Sequence, residues 1–321
     1  MRFCIVLFAT LLLRPPAEAQ RLERSTEAMG ATFSVVLYGP NQAAMNQAID
    51  AAFDEAHRLD ELLSNYRTAS EWSRVNREAA SQTVVVSPEL FQLLSDCMEY
   101  SRRSEGTFDL TVGPLMRAWG FFGGSRHIPS GDELREARQV VGYRHVQLNA
   151  RKRSVRFDHP GVEIDPGGVG KGYAVDRMIE ILRARGFRNA LVAASGSSIF
   201  GLGSPPDEAR GWRIDVADAW DQRKNAAQFF LKNMSLSTSG SYEKSFRAGG
   251  HRYSHIMDPR SGVPAEKAVQ VTVMAPRSID SEVWAKPYFI QGSAWTEAHK
   301  PKSWRVLYCD NVPGTACFWI Q

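Results

Sequence analysis

Between residues 163 and 176 the chain reads EIDPGGVGKGYAVD. Four glycines surround one lysine, Lys171, with Asp165 before it and Asp176 five residues after it. Glycine has no side chain and accepts positive φ, so its backbone N–H groups can close on an anion. From residue 173 to 185 the apolar positions Ala174, Met178, Ile181 and Leu182 keep to one helical face. A glycine turn that opens a helix offers unpaired N–H donors and the positive end of the helix dipole, a seat for a diphosphate. The spacing is neither G-x-x-x-x-G-K-S/T nor G-x-G-x-x-G, and Gly172 leaves no hydroxyl beside the lysine to hold magnesium. The same residues also describe a plain strand-to-helix connection with an exposed lysine.

Two further stretches carry chemistry. STSGSY (residues 237–242) supplies hydroxyls and glycine for phosphate or ribose, and HIMDPRSG (residues 255–262) follows it. His255 and Asp258 stand three residues apart, and a histidine beside a carboxylate can act as a general base at neutral pH. A capped turn with a surface histidine would use the same residues. GTFDLTVGPL (residues 106–115) with WGF (residues 119–121) sets aromatics among glycines, suited to stacking on a planar ring or to a packed loop. Tyr66 sits in a polar turn, SNY.

The elements that must position these residues mix helix and strand without strict alternation, which predicts an α+β fold. Residues 29–39 alternate and are rich in β-formers; residues 41–64 and 88–103 have helical periodicity, and residues 132–140 suit a short helix. Residues 65–81 read as polar turns. Strands are predicted over 146–148, 154–157, 162–164, 191–200, 212–217, 227–231, 269–274, 304–308 and 316–320, and residues 236–255 as two turns ending in a polar loop. A last helix, 278–291, contains Pro287.

The chain has 321 residues, 43% hydrophobic, with a formal charge of +4 spread without a basic run, so size permits a large buried core and charge gives no case for nucleic acid. Arg2, the apolar run over residues 3–13 and the small-x-small triplet at 17–19 predict a signal peptide cleaved after Ala19. Residues 20–321 then form a single unit, periplasmic or secreted, with no membrane-spanning segment. An oxidising compartment permits a Cys309–Cys317 bridge, while Cys97 falls in an apolar helical pattern that suits a buried thiol.

In chain order, MGATFSVVLYG, LLSNYRTASEWSRVN, EGTFDLTVGPLMRAWGF, EIDPGGVGKGYAVD, LSTSGSYEKSF, HIMDPRSGVP and VTVMAPRSIDSEVWAKPYFIQG resemble the FAD:protein FMN transferase family, the ApbE-type flavin transferases. The resemblance spans residues 29–292. It implies mixed sheets with packed helices in two intimate subdomains, with FAD in the cleft between them. It implies transfer of the FMN half of FAD to a threonine hydroxyl on an acceptor protein, release of AMP, and Mg²⁺ at the diphosphate. By position, Met29, Tyr66 and the turn of Gly106, Thr107, Phe108 and Asp109 would contact the adenine half. Asp165, Lys171 and Asp176 would hold ribose or diphosphate, with Ser239 and Gly240 lining the cleft, and His255 and Asp258 would stand at the reacting end. Gly170 and Glu282 would hold the metal.

Two departures from the family pattern stand out. Where the family reads Ala-Asp-Ala-Leu-Ala-Thr, this chain has Ser281, Glu282, Val283, Trp284, Ala285 and Lys286, followed by Pro287. Where it often reads Gly-Gly-Asp-Ile, this chain has Gly196, Ser197, Ser198 and Ile199. A carboxylate one methylene longer is still a hard ligand, but a protonated lysine cannot ligate Mg²⁺. Either Lys286 takes the cation's place beside Glu282, or it swings away and Glu282 with the Gly170 carbonyl still holds Mg²⁺. The rival activities are a FAD diphosphatase and a non-catalytic flavin-binding protein.

Overall fold

The computed structural model describes residues 20–321, and the signal segment expected over residues 1–19 lies outside them. β1 (Gln20–Ala28) turns through Met29 and Gly30, both at positive φ, into β2 (Ala31–Gly39). α1 (Gln42–Leu63) follows, capped by the Asn41 side chain, which accepts the Ala44 N–H at 3.0 Å. A smaller lobe then forms from α2 (Glu71–Glu78), β3 (Val84–Val85), α3 (Pro88–Arg103), α4 (Gly113–Ala118), α5 (Gly131–Gln139), β4 (Val146–Asn149) and β5 (Ser154–Phe157). α6 (Gly170–Ala184) leads into β6 (Asn189–Ala194), β7 (Ser198–Leu202), β8 (Trp212–Ala217), β9 (Asn225–Leu231) and β10 (Met234–Gly240). Two short hairpins, β11 (Ser245–Ala248) with β12 (His251–Ser254) and β13 (Met257–Asp258) with β14 (Val263–Pro264), precede β15 (Ala268–Ala275). The chain closes with α7 (Ser278–Gln291), α8 (Ser293–His299), β16 (Arg305–Asp310) and β17 (Phe318–Ile320).

Eight strands make one antiparallel sheet in the order β1-β2-β6-β7-β10-β15-β16-β17. Alternation along β2 explains its two covered faces. Phe33, Val35 and Leu37 pack on Ile49 and Ala52 of α1 and on Met178 and Leu182 of α6. Val36 points to the other side, among Trp212, Phe229 and Leu231 of the β8–β9 hairpin. β15, in the middle of the sheet, is buried along almost its whole length, as a strand covered on both faces must be. The small sheet β3-β5-β4 and helices α2 and α3 enclose Trp72, Leu94, Val155 and Phe157, and this core runs on into α7 through Val283 and Phe289. The expected α+β class with two intimate subdomains is therefore the observed one.

The helices α6 and α7 approach closely because residue 172 is glycine. A Cβ there would lie 2.5 Å from the Ser278 carbonyl oxygen and 2.9 Å from Glu282 Oε2.

Several sequence expectations are corrected. Residues 65–81 are not all turn: Ser70 accepts the Ser73 N–H and starts α2, whose Trp72, Ser73 and Val75 are buried. Residues 162–164 belong to no sheet. Side chains of α2 hold them instead: Asn76 Oδ1 accepts the Ile164 N–H at 2.8 Å, while Asn76 Nδ2 and Trp72 Nε1 donate to the Ile164 carbonyl. β1 was hidden by its polar sequence, QRLERSTEA, which suits an edge strand. The stretch over 236–255 holds β10 and the β11–β12 hairpin. α6 starts at Gly170, earlier than its apolar periodicity, so Lys171 lies in its first turn. α7 continues through Pro287, which is buried with Tyr288 and Phe289. Cys309 and Cys317 are bonded, and Cys97 is buried and free. Among the described residues, no helix is long and apolar enough to cross a membrane.

Replacing Gly172 by alanine should force α6 and α7 apart and destabilise the fold by about 1–3 kcal/mol, the usual cost of overpacking. Urea unfolding of the G172A variant measures it, and an unchanged midpoint would contradict the close-approach account.

Candidate active site

The first turn of α6, the β6–β7 turn, the end of β10, α7 and His255 meet at one small crevice. Its lining includes Gly167, Lys171, Ser197, Ser198, Ser237, Thr238, Ser239, Gly240, Glu243, His255, Glu282 and Lys286. At about 50 Å³ it suits a small anion rather than a ring system, which needs a larger cavity. Hydroxyls and cations dominate its walls.

Each wall has a local cause. Lys171 extends from the first turn of α6 and donates to Ser197 Oγ in the β6–β7 turn. Strand alternation aims Ser235 and Ser237 of β10 at α7, where the Ser281 hydroxyl bonds both, at 2.9 and 2.8 Å. Ser237 also reaches Ser198 at 3.4 Å. Pairs of hydroxyls can reverse donor and acceptor roles, so this buried row supports the crevice floor without fixing a charge.

Glu282 is buried, and its Oε2 accepts the Gly172 N–H at 2.5 Å. A carboxylate on an unpaired N–H of the first helical turn satisfies that donor and the helix dipole together. Lys286 lies one turn further along α7. Its Nζ donates to the carbonyls of Glu282 (2.8 Å) and Gly168 (3.2 Å) and stands 3.9 Å from Glu282 Oε1. Burial foremost pulls its pKa down to about 8, against the support of the Glu282 charge. His255 borders the crevice with its Nδ1 buried and without a hydrogen-bond partner. Burial first, then Lys244, Lys286 and Lys171, pulls its pKa down to about 4. The imidazole is therefore neutral at pH 7.

A second cavity of about 430 Å³ lies beside the first, lined by Asn65, Tyr66, Arg77, Arg117 and Glu163 among others. Tyr66 is 80% exposed there. Asn65 Nδ2 donates to Asp165 Oδ1 (3.2 Å), which also accepts the Gly167 N–H (3.0 Å). Asn65 lines the large cavity and Gly167 the small one, so Asp165 marks the junction of the two. Burial foremost raises the Asp165 pKa to about 6.

Of the residues expected from sequence, Lys171, Ser239, Gly240, His255 and Glu282 share the crevice. Asp165 stands at its edge and Tyr66 in the neighbouring cavity. The others are placed elsewhere. Asp176 caps α7, its two carboxylate oxygens accepting the N–H groups of Ser278 (2.7 Å) and Ile279 (2.9 Å); it is not a crevice residue. Burial foremost raises its pKa to about 6. Asp258 does not pair with His255: its carboxylate is taken up by the Arg260 guanidinium at 2.8 and 2.9 Å. Asp109 accepts from Thr111 and from the Tyr143 N–H, and Thr107 donates to the Ser104 carbonyl. Gly106, at φ +78, turns this loop, and Phe108 places its ring against Gly168 from behind. The Gly106–Asp109 turn thus backs the glycine loop and lines neither cavity. Met29 lies with its Cε against Gly170, also as a support. Asn65 and Glu243 were not singled out by the sequence, since nothing in their local pattern separates them from ordinary turn residues, and Ser197 was marked only as part of the departure from Gly-Gly-Asp-Ile, with no role given to it.

A divalent metal fits this donor set poorly. Gly170 and Glu282 were the two ligands expected; Glu243 also lines the crevice and Asp165 stands at its edge, yet no group of three or more His, Cys, Asp or Glu among the described residues could hold a metal ion. One Glu282 oxygen is committed to Gly172, and the ammonium of Lys286 stands among the remaining oxygens. Of the two arrangements open from sequence, the structure has Lys286 turned in.

The architecture and this crevice define an α+β protein with a small cleft of lysines and hydroxyls between helix and sheet. The model of the ApbE family matches residues 29–303, and the chain belongs to that family. It is 31% identical to the FAD:protein FMN transferase of Salmonella typhimurium over 86% of this chain and 79% of the relative. Identity to the protein of the same name from Treponema pallidum is 29%, over 86% and 80%. Among solved structures, the ApbE protein of Thermotoga maritima superposes with a TM-score of 0.84 at 27% identity, covering 93% of this chain and 96% of its own. The flavin transferase ApbE of Vibrio cholerae gives 0.82 at 26%, covering 94% and 96%.

Because Asp176 caps α7 and helps clip it to α6, Asp176→Ala should cost about 0.5–2 kcal/mol of stability, and any loss of FAD affinity in the folded protein should accompany that cost rather than occur without it. Urea unfolding and calorimetry read the two effects separately; a loss of affinity without a loss of stability would return Asp176 to the ligand site.

Proposed function

We propose that this chain is an FAD:protein FMN transferase acting on an acceptor threonine. The threonine oxygen attacks the FMN-side phosphorus of FAD. The bond from that phosphorus to the bridging oxygen breaks, AMP leaves with the bridging oxygen, and the threonine proton passes to His255. The observation that carries this reading is a histidine whose buried Nδ1 has no hydrogen-bond partner, in a crevice that also holds Lys171, Lys286 and the first turn of a helix. Phosphoryl transfer depends on positioning and on neutralising charge at the phosphates. Lys171, Lys286 and the hydroxyls of β10 supply that charge and those donors. The larger cavity beside Asp165 has room for one of the two planar rings of FAD, with Tyr66 free to stack on it.

Membership of the ApbE family and the names of its relatives support the activity. The Cys309–Cys317 bond, together with Arg2, the apolar segment and Ala19, supports placing the enzyme and its acceptor outside the cytoplasm.

Incubating residues 20–321 with FAD, with and without a threonine-bearing acceptor peptide, tests the reading by AMP release and peptide mass. AMP formation and a gain of one FMN, both requiring the peptide, are expected. AMP without peptide would instead indicate a diphosphatase, and bound but unchanged FAD a binding protein. Loss of the base in His255→Ala should lower the rate by about 10²–10⁴-fold with FAD affinity largely kept.

The pH dependence of kcat/KM gives an independent check. The base is active when neutral, so activity should persist as pH falls through 6.5 and be lost only near pH 4, where the free enzyme's His255 gains its proton. An acid limb at the ordinary histidine value would remove the buried, neutral imidazole from the mechanism.

A further inference from the structure

We propose that Lys286 is a built-in cation that replaces a divalent metal at the diphosphate, so that this chain binds FAD without Mg²⁺. The inference rests on the flavin reading above and concerns how the same crevice holds the substrate's charge. Three oxygens converge around the Lys286 ammonium: the Gly168 carbonyl at 3.2 Å, the Glu282 carbonyl at 2.8 Å and Glu282 Oε1 at 3.9 Å. Hard oxygens of this kind would suit Mg²⁺. Here a covalently attached ammonium already stands among them.

A divalent ion using these oxygens would have to sit within a few ångströms of the ammonium. Two cations at that distance repel strongly in a half-dry cleft. The other carboxylate oxygen, Glu282 Oε2, is occupied by the Gly172 N–H, so rotating Glu282 to strengthen a metal site would uncap the first turn of α6. Moving Lys286 away would leave the Gly168 carbonyl without its ammonium partner. These hydrogen bonds commit the Glu282 and Gly168 oxygens that a metal would otherwise use.

The ammonium is also placed to meet the substrate. Lys286 lines the same crevice as Lys171, Ser239 and His255, and its side chain keeps 22% of its surface exposed. A FAD diphosphate entering over the glycine loop would meet Lys171 on one side and Lys286 on the other. An ammonium is a point charge with several donors, which suits phosphate oxygens without demanding fixed coordination geometry.

Calorimetric titration of FAD into residues 20–321, once in EDTA and once in millimolar Mg²⁺, tests this on the unaltered protein. Equal dissociation constants are expected, within about twofold. In EDTA, Lys286→Met should weaken binding about tenfold or more, while Lys286→Arg, which keeps the charge, should retain most of it. Mn²⁺ followed by electron paramagnetic resonance, without FAD, should show no stoichiometric site in the unaltered protein. Binding of FAD only when Mg²⁺ is present, or a stoichiometric Mn²⁺ site, would overturn the proposal and leave the flavin reading standing. No binding of FAD by folded protein in either buffer would overturn both. If the methionine variant does not fold, the two buffers, the arginine variant and the Mn²⁺ titration still decide.

Discussion

Two carboxylates lock α6 and α7 to each other, and the site depends on that lock. Glu282 of α7 accepts an N–H from the first turn of α6, and Asp176 of α6 accepts the two first N–H groups of α7. Each helix caps the other. The exchange works only because Gly172 lets the backbones approach to a distance no Cβ would permit. One constraint therefore fixes where Lys171 and Lys286 stand relative to each other, because each extends from one of the two clipped helix segments.

Charge in the crevice is arranged by burial as much as by pairing. Acids and bases in a half-dry cleft lose hydration, which disfavours their charged forms. That pushes Asp165 upward and Lys286 and His255 downward. Lys286 is offset by the Glu282 charge, whereas His255 faces three lysines and has no carboxylate partner for Nδ1. The result separates a cation that holds charge from a base that stays neutral, although both border the same small space.

The smaller lobe contributes mostly support. Its segment over residues 162–164 has the look of a strand but is held by Asn76 and Trp72 of α2, which leaves Asp165 fixed at the mouth of the glycine loop. Phe108 presses on Gly168 and Met29 on Gly170 from two further directions. Two side chains that sequence motifs suggested as ligand contacts thus lie against the glycine loop itself.

The sequence by itself determined the α+β class, the main helices and most strands, because apolar period and turn residues are local signals that survive in one dimension. It also marked the glycine loop, the serine strand and His255, whose residue types limit what chemistry they can do. It did not separate ligands from supports. Asp165 and Asp176 lie in one motif with the same side chain, yet one edges the crevice and the other caps a helix more than a hundred residues away in sequence. The direction of Lys286 was equally open, since a long side chain on α7 could point in or out. Only tertiary packing decided both, because hydrogen-bond partners and burial come from elements far apart in the chain, and those settle where a charge can stand.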